Sequence, residues 1–159
     1  MPSSGSSGAR SRRHDRAACQ HGGVTPAEFW DAIHACRTGI ARDKDEAALA
    51  LLTSRLTASD AGTIAQFEEC FRQEVDALND GALRDIAQQL WVLNDEDWLH
   101  LRAWCVSKGR EFVDRLRRSS AMLRSIASQR GGPFDPPSGE VFLYCAAYAR
   151  VTRGAPVAG

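Results

Sequence analysis

From Thr25 onward, apolar residues recur every three or four positions, and the polar residues between the runs are those that start and stop helices. Thr25-Pro26-Ala27-Glu28 reads as a capping box with proline at the first helical position. Phe29, Trp30, Ile33 and Cys36 then form one stripe, and Gly39 ends it. Asp43-Lys44-Asp45-Glu46 reads as a second box, followed by Leu49, Leu52 and Leu56. A third helix is expected from about Thr57–Ser59. It has the clearest period, with Ile64, Phe67, Phe71, Val75 and Leu78 on one face. Asn79-Asp80-Gly81 breaks it, and Leu83, Ile86, Ala87, Leu90 and Trp91 make a fourth stripe.

Asn94 is the expected cap of a fifth helix, with Asp95, Glu96 and Asp97 at its positive dipole end. Trp98, Leu101 and Cys105 follow at helical spacing, and Gly109 stands where a left-handed residue would end the helix. Phe112, Val113 and Leu116 give a short sixth helix; Met122, Leu123 and Ile126 give a seventh after Ser119-Ser120. Gly-Gly-Pro and Asp-Pro-Pro between Arg130 and Gly139 predict a loop. Ser138 is the expected cap of a final helix carrying Val141, Phe142, Tyr144, Cys145 and Tyr148. With no strand signal, the expected class is all-α: one domain of about seven or eight short helices over residues 24–154. Met1–Gly23, rich in Ser, Gly and Arg, is expected to be a disordered tail, and residues 155–159 a C-terminal one.

The chain is long enough for one core without metals or disulfides, and its 43% hydrophobic and 25% charged residues are ordinary globular values. Formal net charge is zero, which argues against a nucleic-acid or membrane-surface role. The charge is divided, however. Asp60–Asp97 carries a net −8 and Lys108–Arg130 a net +5, so the two are expected to face one another or to form solvated faces. The basic stretch has no interleaved aromatics of the kind nucleic-acid binding uses. Cys19, Cys36, Cys70, Cys105 and Cys145 are odd in number and widely spaced, four of them beside apolar stripes. This points to free core thiols in a reducing cytoplasm. No apolar run is long enough for a bilayer, and no apolar region follows Arg12-Arg13 to make an export signal.

No constellation for catalysis stands out. His34 and His100 are isolated, so no metal site is expected, and neither a phosphate-cradling glycine loop nor a hydrolase elbow occurs. No cofactor is expected. Asp95, Glu96 and Asp97 point in different directions on a helix, so helix-start electrostatics explains them best. Arg102, between Leu101 and Trp104, is expected to be buried and paired with Asp95, Asp97 or Glu111. The alternative is an anion-reading group in a pocket floored by Trp98 or Trp104. Cys105 reads as an inert core thiol.

Three segments carry a resemblance. They are Phe29-Trp30-Asp31-Ala32-Ile33, then Leu101-Arg102-Ala103-Trp104-Cys105-Val106-Ser107-Lys108-Gly109-Arg110-Glu111 after the acidic Asp95-Glu96, and last Ala147-Tyr148 running into Thr152-Arg153-Gly154. Together they resemble the bacterial proteins grouped as domain of unknown function 4240, over nearly the whole of Thr25–Gly154. Ser119-Ser120-Ala121 replaces that family's Asn-Pro-Asp-like turn, which implies a weakened helix cap. The resemblance implies a fold and no mechanism. Two functions are therefore expected from different classes. One is a non-catalytic protein-interaction or regulatory module with an unidentified protein partner. The other is a small anionic-ligand binder or unusual enzyme around Arg102 and Glu111. The residues proposed for either are Asp95, Glu96, Trp98, Arg102, Trp104, Arg110 and Glu111.

Overall fold

The computed structural model describes residues 24–41, 43–130 and 132–154, so both expected tails lie outside the described residues. Within these, the chain forms a single all-α domain of eight helices. They are α1 (Pro26–Arg37), α2 (Asp45–Ala58), α3 (Ala61–Ala77), α4 (Gly81–Leu90), α5 (Asp95–Ser107), α6 (Arg110–Arg118), α7 (Ala121–Ser128) and α8 (Glu140–Thr152). Helix α8 packs against α2, α3 and α5, while α6 packs on α5 and is joined through α7 to α4.

Local chemistry explains most boundaries. Thr25 and Glu28 form the reciprocal capping box, as Asn94 and Asp97 do for α5. Asp60 caps α3 by accepting from the Thr63 amide at 2.9 Å. The third helix therefore starts later than expected. Thr57 and Ser59 instead bond back to the carbonyls of Thr53 and Arg55, at 2.8 and 2.9 Å, and stay with α2. The second box is also absent: Lys44 is the N-cap of α2 and makes no side-chain cap, because an ammonium has no acceptor to offer the free amides. Ser120 gives α7 no side-chain cap, as the departure from the family turn implied.

The core explains the order of packing. Phe29, Phe67 and Phe71 bring α1 onto α3 with ring centroids 5.1–6.2 Å apart, within the range that favours tilted and edge contacts. From Leu101 to Ser107 every residue of α5 is buried, so this stretch has no solvent face. A helix buried all round is not amphipathic, and its neighbours must supply the polar surface.

The loop before α8 is tied down. The Val92 amide donates to Pro133 O at 2.8 Å, and the Gly139 amide donates to His100 O at 2.9 Å. Gly139, not Ser138, is the N-cap of α8; Ser138 Oγ accepts only a long 3.4 Å contact from the Glu140 amide. The reason is steric. A Cβ at Gly139 would lie 2.1 Å from Trp104 N and 2.6 Å from Ala103 C, so two backbones meet there with no room for a side chain.

Gly139→Ala should therefore destabilise the domain by about 3 kcal/mol or more, by forcing α8 off α5. Gly81→Ala is the control: a Cβ there meets nothing within 4 Å. It should be neutral or stabilising by about 0.5 kcal/mol, because alanine restricts the unfolded chain. Urea unfolding of the two variants checks the contrast, and equal midpoints would refute the close approach.

Candidate functional site

Three helix ends converge at one corner. Arg37 is the last residue of α1, Asp45 the first of α2, and Lys108 the C-cap of α5. Each charge suits its place, with the carboxylate at a positive dipole end and the cations at negative ones. Asp45 Oδ1 accepts from Lys108 Nζ at 2.5 Å and from Arg37 Nη1 at 2.7 Å. Asp45 Oδ2 accepts from the Trp104 indole at 3.1 Å. Arg37 Nε also donates to Ser107 O at 2.9 Å and so caps a terminal carbonyl of α5. Two cations thus share one carboxylate, with the Lys108 side chain 9% and the Arg37 side chain 13% exposed.

Aromatic faces hold the cations in place. Lys108 Nζ lies 4.6 Å from the Trp104 ring centroid and Arg37 Cζ lies 5.5 Å from that of Phe142. Phe112 meets Trp104 edge-on at 5.6 Å. Gly109, at φ 98°, turns the chain from α5 into α6 in a conformation that L-residues rarely adopt, and so carries Phe112 across to Trp104.

Electrostatics follow from burial. Desolvation pushes the Asp45 carboxyl up, but the hydrogen bonds and charges of Lys108 and Arg37 outweigh it, and its pKa is lowered. Burial lowers the Lys108 ammonium; Asp45 opposes this, while Arg37 and Arg130 add to it. Burial pushes the Cys105 and Cys145 thiols up to about 12, so both are inert core thiols. Among the described residues, no group of three His, Cys, Asp or Glu could hold a metal ion.

The corner forms one end of a cleft of about 630 Å³. Ile40, Trp104, Phe112, Met122 and Ile126 supply its apolar walls; Arg115, Glu111 and Arg130 join Lys108, Arg37 and Asp45 as its polar ones. Arg130 is taken up by Asp135, 3.6 Å away. Arg115 is exposed and has no carboxylate within ion-pair distance among the described residues.

Of the residues singled out from sequence, Trp104 and Glu111 line this cleft. Arg102 does not. It is buried as expected, at 7% exposure, but on the side facing α3. Its Nη1 donates to Val75 O at 3.0 Å, and the guanidinium lies 5.4 Å from the Trp98 ring centroid. The expected pairing with Asp95, Asp97 or Glu111 is not formed; the nearest carboxylate is that of Asp76, exposed and 3.8 Å away. Arg102 thus caps the C-terminal end of α3, where main-chain oxygens and the dipole favour a cation. Trp98 is buried and donates to Asn79 Oδ1 at 2.9 Å. Asp95 pairs with Arg84, Glu96 is exposed, and Arg110 lies 3.7 Å from Asp114. The two charged stretches meet at one ion pair, Arg117–Glu74 at 3.1 Å. The residues the sequence reading missed are Arg37 and Asp45, and Lys108 in its role at the corner. The available signal was Lys108 itself, one of two lysines beside eighteen arginines.

An eight-helix domain with a charged, aromatic-walled cleft where helix ends meet defines a class by architecture alone. The family model described as "Protein of unknown function (DUF4240)" matches residues 24–150. The chain belongs to that family. No curated protein and no solved structure matches it.

Two expectations follow. Arg102→Ala should cost about 2–3 kcal/mol, since it removes a charged donor from Val75 O, which keeps only the 3.2 Å bond from the Leu78 amide, and strips the stem from Trp98; Arg110→Ala should cost under about 1 kcal/mol. Urea midpoints decide between them, and equal values would refute the difference. Asp45→Asn should cost about 2 kcal/mol at neutral pH, by leaving two cations at the corner without their carboxylate. Because the folded pKa of Asp45 lies below its unfolded value, its contribution is present above about pH 4 and disappears as pH falls through the lowered folded value. The stability gap between wild type and Asp45→Asn should therefore close in acid. A gap that stays constant from neutral to about pH 2 would show that the carboxylate charge contributes nothing.

Proposed function

We propose that this domain is a non-catalytic binder of small anions that carry an apolar body, seated in the cleft between α1, α5, α6 and α7. One observation carries the reading. Lys108 and Arg37 converge on the carboxylate of Asp45 beside aromatic walls, in a cleft that Arg115 and Arg130 also line and that carries the carboxylates of Asp43 and Glu111. A cleft of about 630 Å³ suits a small molecule, and mostly apolar walls with a few convergent polar groups are how such sites are built. Arg115 at the rim adds a further cation, one turn along α6 from Glu111. Among the described residues of the cleft no pair is hydrogen-bonded as nucleophile and base, which supports binding over turnover. The site expected around Arg102 and Glu111 is thus re-centred on Lys108, with Glu111 and Trp104 retained. A reducing cytoplasm is proposed as its compartment, supported by the buried free thiols Cys36, Cys70, Cys105 and Cys145. Among the described residues no helix is long and apolar enough to cross a membrane.

Phenyl phosphate is a suitable probe, with inorganic phosphate as the comparison. A fragment of this size should bind with a Kd of about 1 mM, and inorganic phosphate about tenfold more weakly, because only the former fills the apolar wall. In a ¹H–¹⁵N NMR titration the Trp104 indole and Lys108 amide signals should move. Arg115→Glu should weaken both responses, and it leaves the folded spectrum intact because the residue is exposed. If neither signal moves at about 10 mM phenyl phosphate, the proposal fails.

A further inference from the structure

Helix α8 is apolar on two sides. Phe142, Cys145, Ala146 and Ala149 face the core. On the other side Val141, Tyr144, Tyr148 and Val151 are 53, 59, 65 and 60% exposed. These four sit at intervals of three, four and three residues, the spacing of a seam that packs against another helix. A stripe of this kind is comparable to the largest apolar patch of a typical monomer, and such patches are often contact sites.

The stripe reads the same in both directions: Val, Tyr, Tyr, Val, centred on Ala146. A two-fold axis perpendicular to α8 at that centre sets Val141 against the partner's Val151, and Tyr144 against the partner's Tyr148. Self-complementarity is what an isologous contact requires. Charge agrees with the same arrangement. Glu140 begins the helix and Arg153 follows its end, so antiparallel pairing brings unlike charges and unlike dipole ends together. A parallel pair would oppose like with like. Arg153 donates to the carbonyl oxygens of Thr57 and Ser59 at the C-terminal end of α2 and has no carboxylate within ion-pair distance among the described residues, so the partner's Glu140 would add a carboxylate to a cation already held in place. Ala147, half-buried next to the axis, lets the two helices approach.

We infer that α8 is the contact helix of an antiparallel homodimer, formed by the Val141, Tyr144, Tyr148 and Val151 stripe of each chain. The inference is independent of the ligand reading, which rests on other helices. Two tyrosines and two valines amount to roughly half of the ~800 Å² per partner in a standard interface, so the dimer is a weak one, with a Kd of about 10–100 µM.

Sedimentation equilibrium of the full chain between about 5 and 500 µM tests it, spanning the expected Kd. The average mass should rise toward that of two chains, and Tyr148→Glu should weaken association about thirtyfold or more, as loss of a central aromatic does. Circular dichroism and melting of the dilute variant should match wild type, because Tyr148 is exposed. Orientation is read by mixing Val141→Cys and Val151→Cys proteins, both also carrying Cys19→Ser, under mild oxidation. The mixed disulfide should form, and Val141→Cys alone should not self-link. A chain that stays monomeric throughout, a dimer indifferent to Tyr148→Glu, or self-linking of Val141→Cys as strong as the mixed link would each overturn the inference. So would a monomer that instead sediments with phosphatidylcholine vesicles through this stripe.

Discussion

The absence of any solvent face along the second half of α5 is the constraint from which the rest of the architecture follows. Leu101 to Ser107 must be covered on every side, and α3, α6 and α8 do so directly. A helix so enclosed can place polar groups only at its ends or against the ends of other helices. That is where they occur. Arg102 reaches the terminal carbonyl of Val75, and Ser107 and Lys108 meet Arg37 and Asp45. The charged groups are thus gathered at corners by the same burial that builds the core.

The corner around Asp45 also bears directly on folding. Asp45 of α2 takes its partners from α1 and α5, and Lys108 is 63 positions away in the chain. Such contacts form only when distant segments have been brought together, so the cluster reports on the docking of α1, α2 and α5. Removing the carboxylate leaves the cations in an environment already too dry for them, which is why the corner is sensitive to one residue.

How far the sequence discloses this depends on the range of the interaction. Helix starts at Thr25 and Asn94 are legible because cap and partner lie three residues apart. Phe29, Phe67 and Phe71 are legible as core from their period, and Gly109 as a turn from its type. Arg102 is half legible. Its burial follows from Leu101 and Trp104 on either side, but its partner is a main-chain oxygen on another helix, and residue types do not advertise such acceptors. Asp45 looks like a helix-start acid and is one; nothing local distinguishes it from Asp43, whose side chain is mostly exposed. The cleft is illegible for the same reason, since its walls come from α1, the turn after it, and α5 through α7. Gly139 sits in a stretch whose composition reads only as loop, while its role is to let one backbone touch another.

That stretch between α7 and α8 has a consequence for recognition. Its main chain is fastened at Pro133 and Gly139, Pro137 is buried, and Arg130 Nε holds the carbonyl of Asp135 at 3.2 Å. Closure entropy depends on the length of each free arc, and here the arcs are only a few residues long. Segments rich in glycine and proline are commonly taken to be the pliable part of a domain. In this one the part from Gly132 to Gly139 is stitched down, and Arg130 stands before it at the edge of the cleft. An incoming molecule would thus meet a main chain already fastened on this side, with less loop ordering left to oppose association. Recognition would resemble insertion into a rigid slot, approached from the exposed side of α6, more than a hand closing around its object.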